Sequence, residues 1–185
     1  RFDWGGSLFQ YHLTLFWITF IISNTDLPKY LYYPAFASLM LFLVLAFIPR
    51  QKIKRYFWFS LLWGAGMDIF LIFTICGILK LYRYEHLKPF GFYCVPIWIP
   101  LAWSASVMLF LHFLPKTKLK YPFYILLAGF SLISVFIGEV FAQLGLLREI
   151  HWHELLRFPV TFAWFYGATW HYQKLKLKDS QIFEE

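Results

Sequence analysis

Apolar residues along this chain fall into six blocks, each near membrane-spanning length and separated by short polar connections. The blocks run Leu8–Ile22, Leu31–Ile48, Tyr56–Leu79, Val95–Leu114, Phe123–Leu147 and Leu155–Tyr172. About 20 apolar residues at 1.5 Å rise cross a hydrocarbon core of roughly 30 Å, where a backbone must satisfy its own hydrogen bonds. Each block is therefore predicted to be a helix. The expected fold is all-α, a polytopic transmembrane helical bundle of about six spans. The first block is the weakest, because Gln10 and His12 interrupt it. Pro28, Pro49, Pro89, Pro115 and Pro122 punctuate block edges, whereas Pro100 lies within the fourth block and is expected to kink it. Residues 1–172 read as one transmembrane domain and 173–185 as a cytoplasmic tail.

Composition supports that pattern. Hydrophobic residues make up 60% of the chain and charged residues 15%, against roughly 45–50% and 25% in ordinary soluble domains. The net charge of +7 lies in connections beside apolar blocks, not in a basic stripe on a soluble domain. It is read as setting topology and touching lipid headgroups, with no nucleic acid as partner. With both termini cytoplasmic, 11 of the 17 Lys and Arg fall inside and 6 outside, the arrangement favoured by the positive-inside bias. Arg1-Phe2-Asp3-Trp4 is not a basic leader, so the first block is expected to be a retained span. These features point to a multi-pass protein of a bacterial plasma membrane.

Polar residues inside apolar blocks are the candidates for chemistry. Asp68 lies in the third block and Glu139 in the fifth. A carboxylate at bilayer depth costs on the order of 2.5–3.5 kcal/mol, so it must face the bundle interior, find a partner or be protonated. Gln143 follows Glu139 by one helical turn, and Arg157 approaches from the next segment, giving a candidate polar site of Asp68, Glu139, Gln143 and Arg157. Two readings stay open: a functional pocket, or structural glue between helices. Glu149, His151, His153 and Glu154 form an outer-loop cluster whose spacing is no zinc signature, and no metal is predicted. Trp63, Trp98 and Trp103 are candidates to line an aromatic pocket for a lipid or isoprenoid. Gly64, Ala65 and Gly66 form a small-residue face that lets a neighbouring helix come close below Asp68. Cys76 and Cys94 sit across one hairpin, as buried thiols or as a disulfide. No template for nucleophilic catalysis or phosphate binding is found.

Three short motifs carry a resemblance: Gly64-Ala65-Gly66-Met67-Asp68, Pro100-Leu101-Ala102-Trp103, and Glu139 ahead of Gly145-Leu146-Leu147 and His151-Trp152. On these, residues 52–172 resemble an uncharacterised family of small polytopic membrane proteins of Gram-positive spore-forming bacteria. The resemblance implies a membrane fold and no reaction. Three function classes follow from the residues. The first is a non-catalytic membrane protein, either an accessory subunit of a larger complex or homo-oligomer, or a binder of a lipid-like ligand. The second is a small permease or the substrate-binding component of a transporter. The third is an intramembrane enzyme acting on an isoprenoid or lipid, with Asp68 or Glu139 as acid or base. No cofactor is predicted beyond a bound lipid or isoprenoid.

Overall fold

The computed structural model describes residues 28–115, 120–152 and 154–182, with the side chains of 154, 155 and 176–182 excepted. The block Leu8–Ile22, with Gln10 and His12, lies outside them. Helix α1 is Tyr32–Phe47, entered through a single 3-10 turn at Lys29–Leu31. Helix α2 runs Arg50–Ile78, followed by α3 at Trp98–Phe113, α4 at Lys120–Gln143 and α5 at Glu154–Ile182. Three of these, Lys29–Phe47, Arg50–Ile78 and Lys120–Gln143, are long and apolar enough to cross a membrane, and α3 is a shorter apolar helix. Their outward faces are greasy: Phe42, Leu45, Trp58, Phe70 and Ile125 are 62–75% exposed. A soluble protein would not leave rings and leucines so uncovered over several helices.

Several boundaries depart from the sequence expectation for physical reasons. Helix α2 starts at Arg50 and not at Tyr56, because Pro49 caps it and its carbonyl accepts the amides of Lys52 and Ile53. The basic residues Arg50–Arg55 therefore occupy helical turns, not a loop. Pro100 does not kink α3. It sits in the first turn, where its missing N–H would have had no intrahelical partner. Helix α4 stops at Gln143, short of Leu147, because Gly145 turns at φ +69° and Leu146 donates back to the Phe141 carbonyl. Helix α5 carries Pro159 inside it and continues to Ile182, so the segment read as a tail extends that helix.

Two small antiparallel ladders, unforeseen in an all-helical reading, occupy the connections at one end of the bundle. Strand β1, Tyr82–Tyr84, pairs with β4, Leu147–Glu149, in the register Tyr82↔Glu149 and Tyr84↔Leu147. Strand β2, Gly91–Phe92, pairs with β3, Val95–Pro96. The Tyr33 hydroxyl of α1 anchors the first ladder, 2.6 Å from the Glu85 carbonyl and 2.8 Å from that of Leu146.

Helix α2 is not regular. Two π-helical turns, Leu61–Gly66 and Phe73–Ile78, flank the α-helical stretch Met67–Ile72 that carries Asp68. The first contains a close approach to α3. A Cβ on Gly64 would collide with the Ser104 backbone of α3, and the Ser104 hydroxyl donates to the Ser60 carbonyl at 2.9 Å. Beyond that contact, Trp63 Nε1 donates to His171 Nδ1 of α5 at 2.7 Å. Gly64→Ala is expected to lower the unfolding midpoint by overpacking worth about 1–3 kcal/mol. Gly66→Ala, whose added carbon meets nothing nearer than 3.8 Å, should leave the midpoint of detergent-solubilised protein unchanged.

Candidate functional site

A cavity of about 290 Å³ lies beneath the β1–β4 ladder, where α1, α2, α3, α4 and α5 converge. Its volume is close to the lower end of small-molecule sites, about 300–1,000 Å³. Helix periodicity explains the walls. Asp68, Leu71 and Ile75 follow one face of α2, and Phe36, Met40, Leu43 and Phe47 follow one face of α1. Strand periodicity explains the roof. Alternate residues share a face, so Tyr82 and Tyr84 turn inward beside Leu147, while Arg83 between them is exposed.

Several polar groups line this cavity. Asp68 is 6% exposed, and its Oδ2 has no hydrogen-bond partner. Arg157 is 8% exposed, and its guanidinium fills the space over Gly138 that any larger residue would occupy. Arg157 Nη2 donates to Glu149 Oε1 at 2.6 Å, leaving Nη1 buried without a partner. The indole N–H groups of Trp152 and Trp164 are buried and unpartnered as well, and both rings line the cavity. Four unmet polar atoms around one space are unusual, since roughly 90% or more of buried polar groups are satisfied.

The phenols of Tyr82 and Tyr84 are held neutral. Burial is the main cause of their raised pKa values, reinforced by the Asp68 charge for both and by Tyr82 for Tyr84, against a lowering influence of Arg157. Both hydroxyls therefore remain donors at neutral pH.

The remainder of the cavity is mostly apolar, with Ser106, Ser134 and Thr161 among its lining, and elongated. Its wall on α3 extends from Ile99 to Phe113, about 21 Å at 1.5 Å per residue. At the end away from the ladder it is bordered by Phe47 and Phe113, which are 55% and 46% exposed. The Phe47 and Phe113 rings meet edge to face, centroids 5.9 Å apart.

The residues singled out from sequence are thus sorted into different places. Asp68, Arg157 and Trp103 line the cavity. Glu139 does not: it accepts from Gln143 Nε2 at 2.8 Å along its own helix, and Arg157 takes Glu149 as partner instead. Of the outer-loop cluster, Glu149 is that partner and His151 is exposed, while His153 and the Glu154 side chain lie outside the described residues. Trp63 is bound to His171, and Trp98 packs on Phe90 away from the cavity. Cys76 and Cys94 are free and buried. Burial, then hydrogen bonding with Cys76, pushes the Cys94 thiol up to about 12. Sequence reasoning missed Tyr82, Tyr84, Trp152 and Trp164; the Tyr-Arg-Tyr alternation was the one available signal for the first two.

No protein-family model, curated protein or solved structure matches this chain.

Two outcomes check this geometry. Glu149→Gln strips Arg157 of its charge partner and is expected to cost several kcal/mol, at most about 3–5 given that Glu149 is partly exposed. Glu139→Gln should cost under about 1 kcal/mol in the same denaturation assay, because that pair is exposed. The raised phenols have a signature of their own. Their contribution to stability is complete below the unfolded tyrosine value of about 10 and declines as pH rises from there toward the folded values. The double variant Tyr82→Phe and Tyr84→Phe should flatten that alkaline decline in unfolding midpoint.

Proposed function

We propose that this chain is a multi-pass integral protein of a bacterial plasma membrane that binds a lipid-like amphiphile. In this reading it has six spans with both termini cytoplasmic, the ladders lie on the outer side, and the cavity holds the amphiphile's head beneath them. The hydrocarbon chain then follows the apolar wall and leaves into the bilayer beside the Phe47–Phe113 ring pair.

One observation carries the reading: unmet polar atoms belong to four residues, Asp68, Arg157, Trp152 and Trp164, that line a single, otherwise mostly apolar cavity. Buried polar groups left without partners cost about 1–3 kcal/mol each, and more when charged. A ligand with a polar head and an apolar tail offsets that cost at one end and fills the groove at the other. Tyr82, Leu147 and Trp152 are buried over the head end, which favours entry sideways from lipid over entry from water.

A permease is the second reading, favoured by one feature. The two π-helical turns on either side of Asp68 give α2 widened turns around a buried carboxylate, and such turns recur at functional sites. Saturable solute uptake into proteoliposomes, abolished in Asp68→Asn, would select this reading over simple binding.

Lipid extraction of protein purified from native membranes should return about one amphiphile per chain, resistant to exchange with detergent. Ser106→Phe, which fills the groove from α3, should release it and remove the ligand-dependent stabilisation, about 2.7 kcal/mol at a hundredfold excess over Kd. Retention of the same amphiphile by the filled variant refutes the groove. For topology, impermeant reagents should label cysteines introduced at Arg50 and Lys116 from the same side of sealed vesicles. Labelling from opposite sides contradicts the six-span arrangement.

A further inference from the structure

Resting on the amphiphile reading, the structure assigns a head-group class: we propose that the cavity selects a zwitterionic amino-phosphodiester head, with a primary ammonium at Asp68 and phosphate oxygens at Arg157, Trp152 and Trp164. The argument begins with what the walls lack. Among the described residues the ion pairs are Arg83–Glu85 and Arg157–Glu149, so Asp68 and Arg157 face one cavity without pairing to each other. Tyr82 and Tyr84 stand where the charges of both are felt. The cavity therefore presents a carboxyl from α2 and a guanidinium from α5, with the two tyrosines of β1 in the same lining.

The lining has two distinct deficits. Three donors on residues that line the cavity are unmet: Arg157 Nη1, Trp152 Nε1 and Trp164 Nε1. Together they call for an acceptor with several oxygens, and phosphate suits an arginine donor. One acceptor is also unmet, Asp68 Oδ2. It calls for a donor, and a cation that carries N–H supplies both that hydrogen and the charge partner that lets a carboxyl ionise at this depth.

Simpler heads each leave one deficit open. A phosphate monoester or fatty acid answers Arg157 and the indoles but sets a second negative charge near Asp68. An alkylamine answers Asp68 and leaves three donors unmet. A quaternary ammonium head fits the aromatic walls through its charge, yet brings no hydrogen to Oδ2. A primary ammonium joined to a phosphodiester meets both deficits. The Arg157 charge is already shared with Glu149, whose carboxylate retains 23% exposure and hence part of its hydration, so the phosphate is held mainly by hydrogen bonds.

The test offers full-length protein in detergent an equimolar mixture of four palmitoyl or hexadecyl probes and counts those retained by native mass spectrometry. The probes are lysophosphatidylethanolamine, lysophosphatidylcholine, lysophosphatidate and hexadecylamine. The expected result is retention of lysophosphatidylethanolamine roughly tenfold over each of the others, the worth of one charge-assisted hydrogen bond. Asp68→Asn should bring it down to the level of lysophosphatidylcholine while leaving that probe unchanged. Equal retention of all four overturns the head-group assignment and leaves amphiphile binding standing. Preference for hexadecylamine or lysophosphatidate likewise overturns the bipolar head. Retention of none overturns amphiphile binding as well. The wild-type ranking decides the matter even if Asp68→Asn fails to fold.

Discussion

A carboxyl sunk among apolar helices must find a partner or stay protonated, and no side chain among the described residues answers Asp68. The rest of the architecture can be read around that constraint. Burial of Asp68 follows from the close seating of α2 on α3, where Gly64 admits the Ser104 backbone and the next turn of α2 swings inward. The same geometry puts Leu71 and Ile75 on the cavity wall behind it. Small residues here set depth, and depth sets the electrostatic problem.

Arg157 poses the complementary problem on the opposite wall. Its guanidinium lies over Gly138 and is held by Glu149, a residue delivered by the β1–β4 ladder. That ladder is only three residues long on each side, yet it performs three tasks. It supplies the partner for Arg157, turns Tyr82 and Tyr84 inward by strand alternation, and is itself fixed to α1 through the Tyr33 hydroxyl. Two opposite charges are thereby fixed on different elements and kept apart. A bundle optimised only for packing would bring them together or replace them with hydrocarbon, since buried ion pairs add little to stability over apolar packing.

How much of this was legible in the sequence depends on range. Helices were legible because length and apolarity are local properties, and the second, fourth and fifth blocks overlap α1, α3 and α4 closely. Their ends were less so. Pro49 and Gly145 act through capping geometry that an apolar run does not display. Asp68 and Arg157 stood out as ionisable groups in or beside apolar segments. Their separation from Glu139 and Gln143 was invisible, because it depends on which face of α4 turns toward α5. Glu149 was placed in a loop cluster with two histidines, and only strand pairing shows that it belongs to Arg157. Of the tryptophans, Trp103 lines the cavity as expected, but Trp63 is bound to His171, whereas Trp152 and Trp164 reach the cavity.

The central claim is that Asp68 and Arg157 are kept apart for a ligand whose head lies between them and whose tail lies in the groove. An experimental density map of protein extracted from native membranes without lipid stripping tests it most directly. The account predicts continuous non-protein density from beneath Tyr82 and Tyr84 along the apolar wall toward the Phe47–Phe113 ring pair, with Asp68 and Arg157 within hydrogen-bonding distance of its broad end. A groove closed by helix packing, or filled by polypeptide continuous with Pro28, with Asp68 bonded to a protein donor, would contradict it.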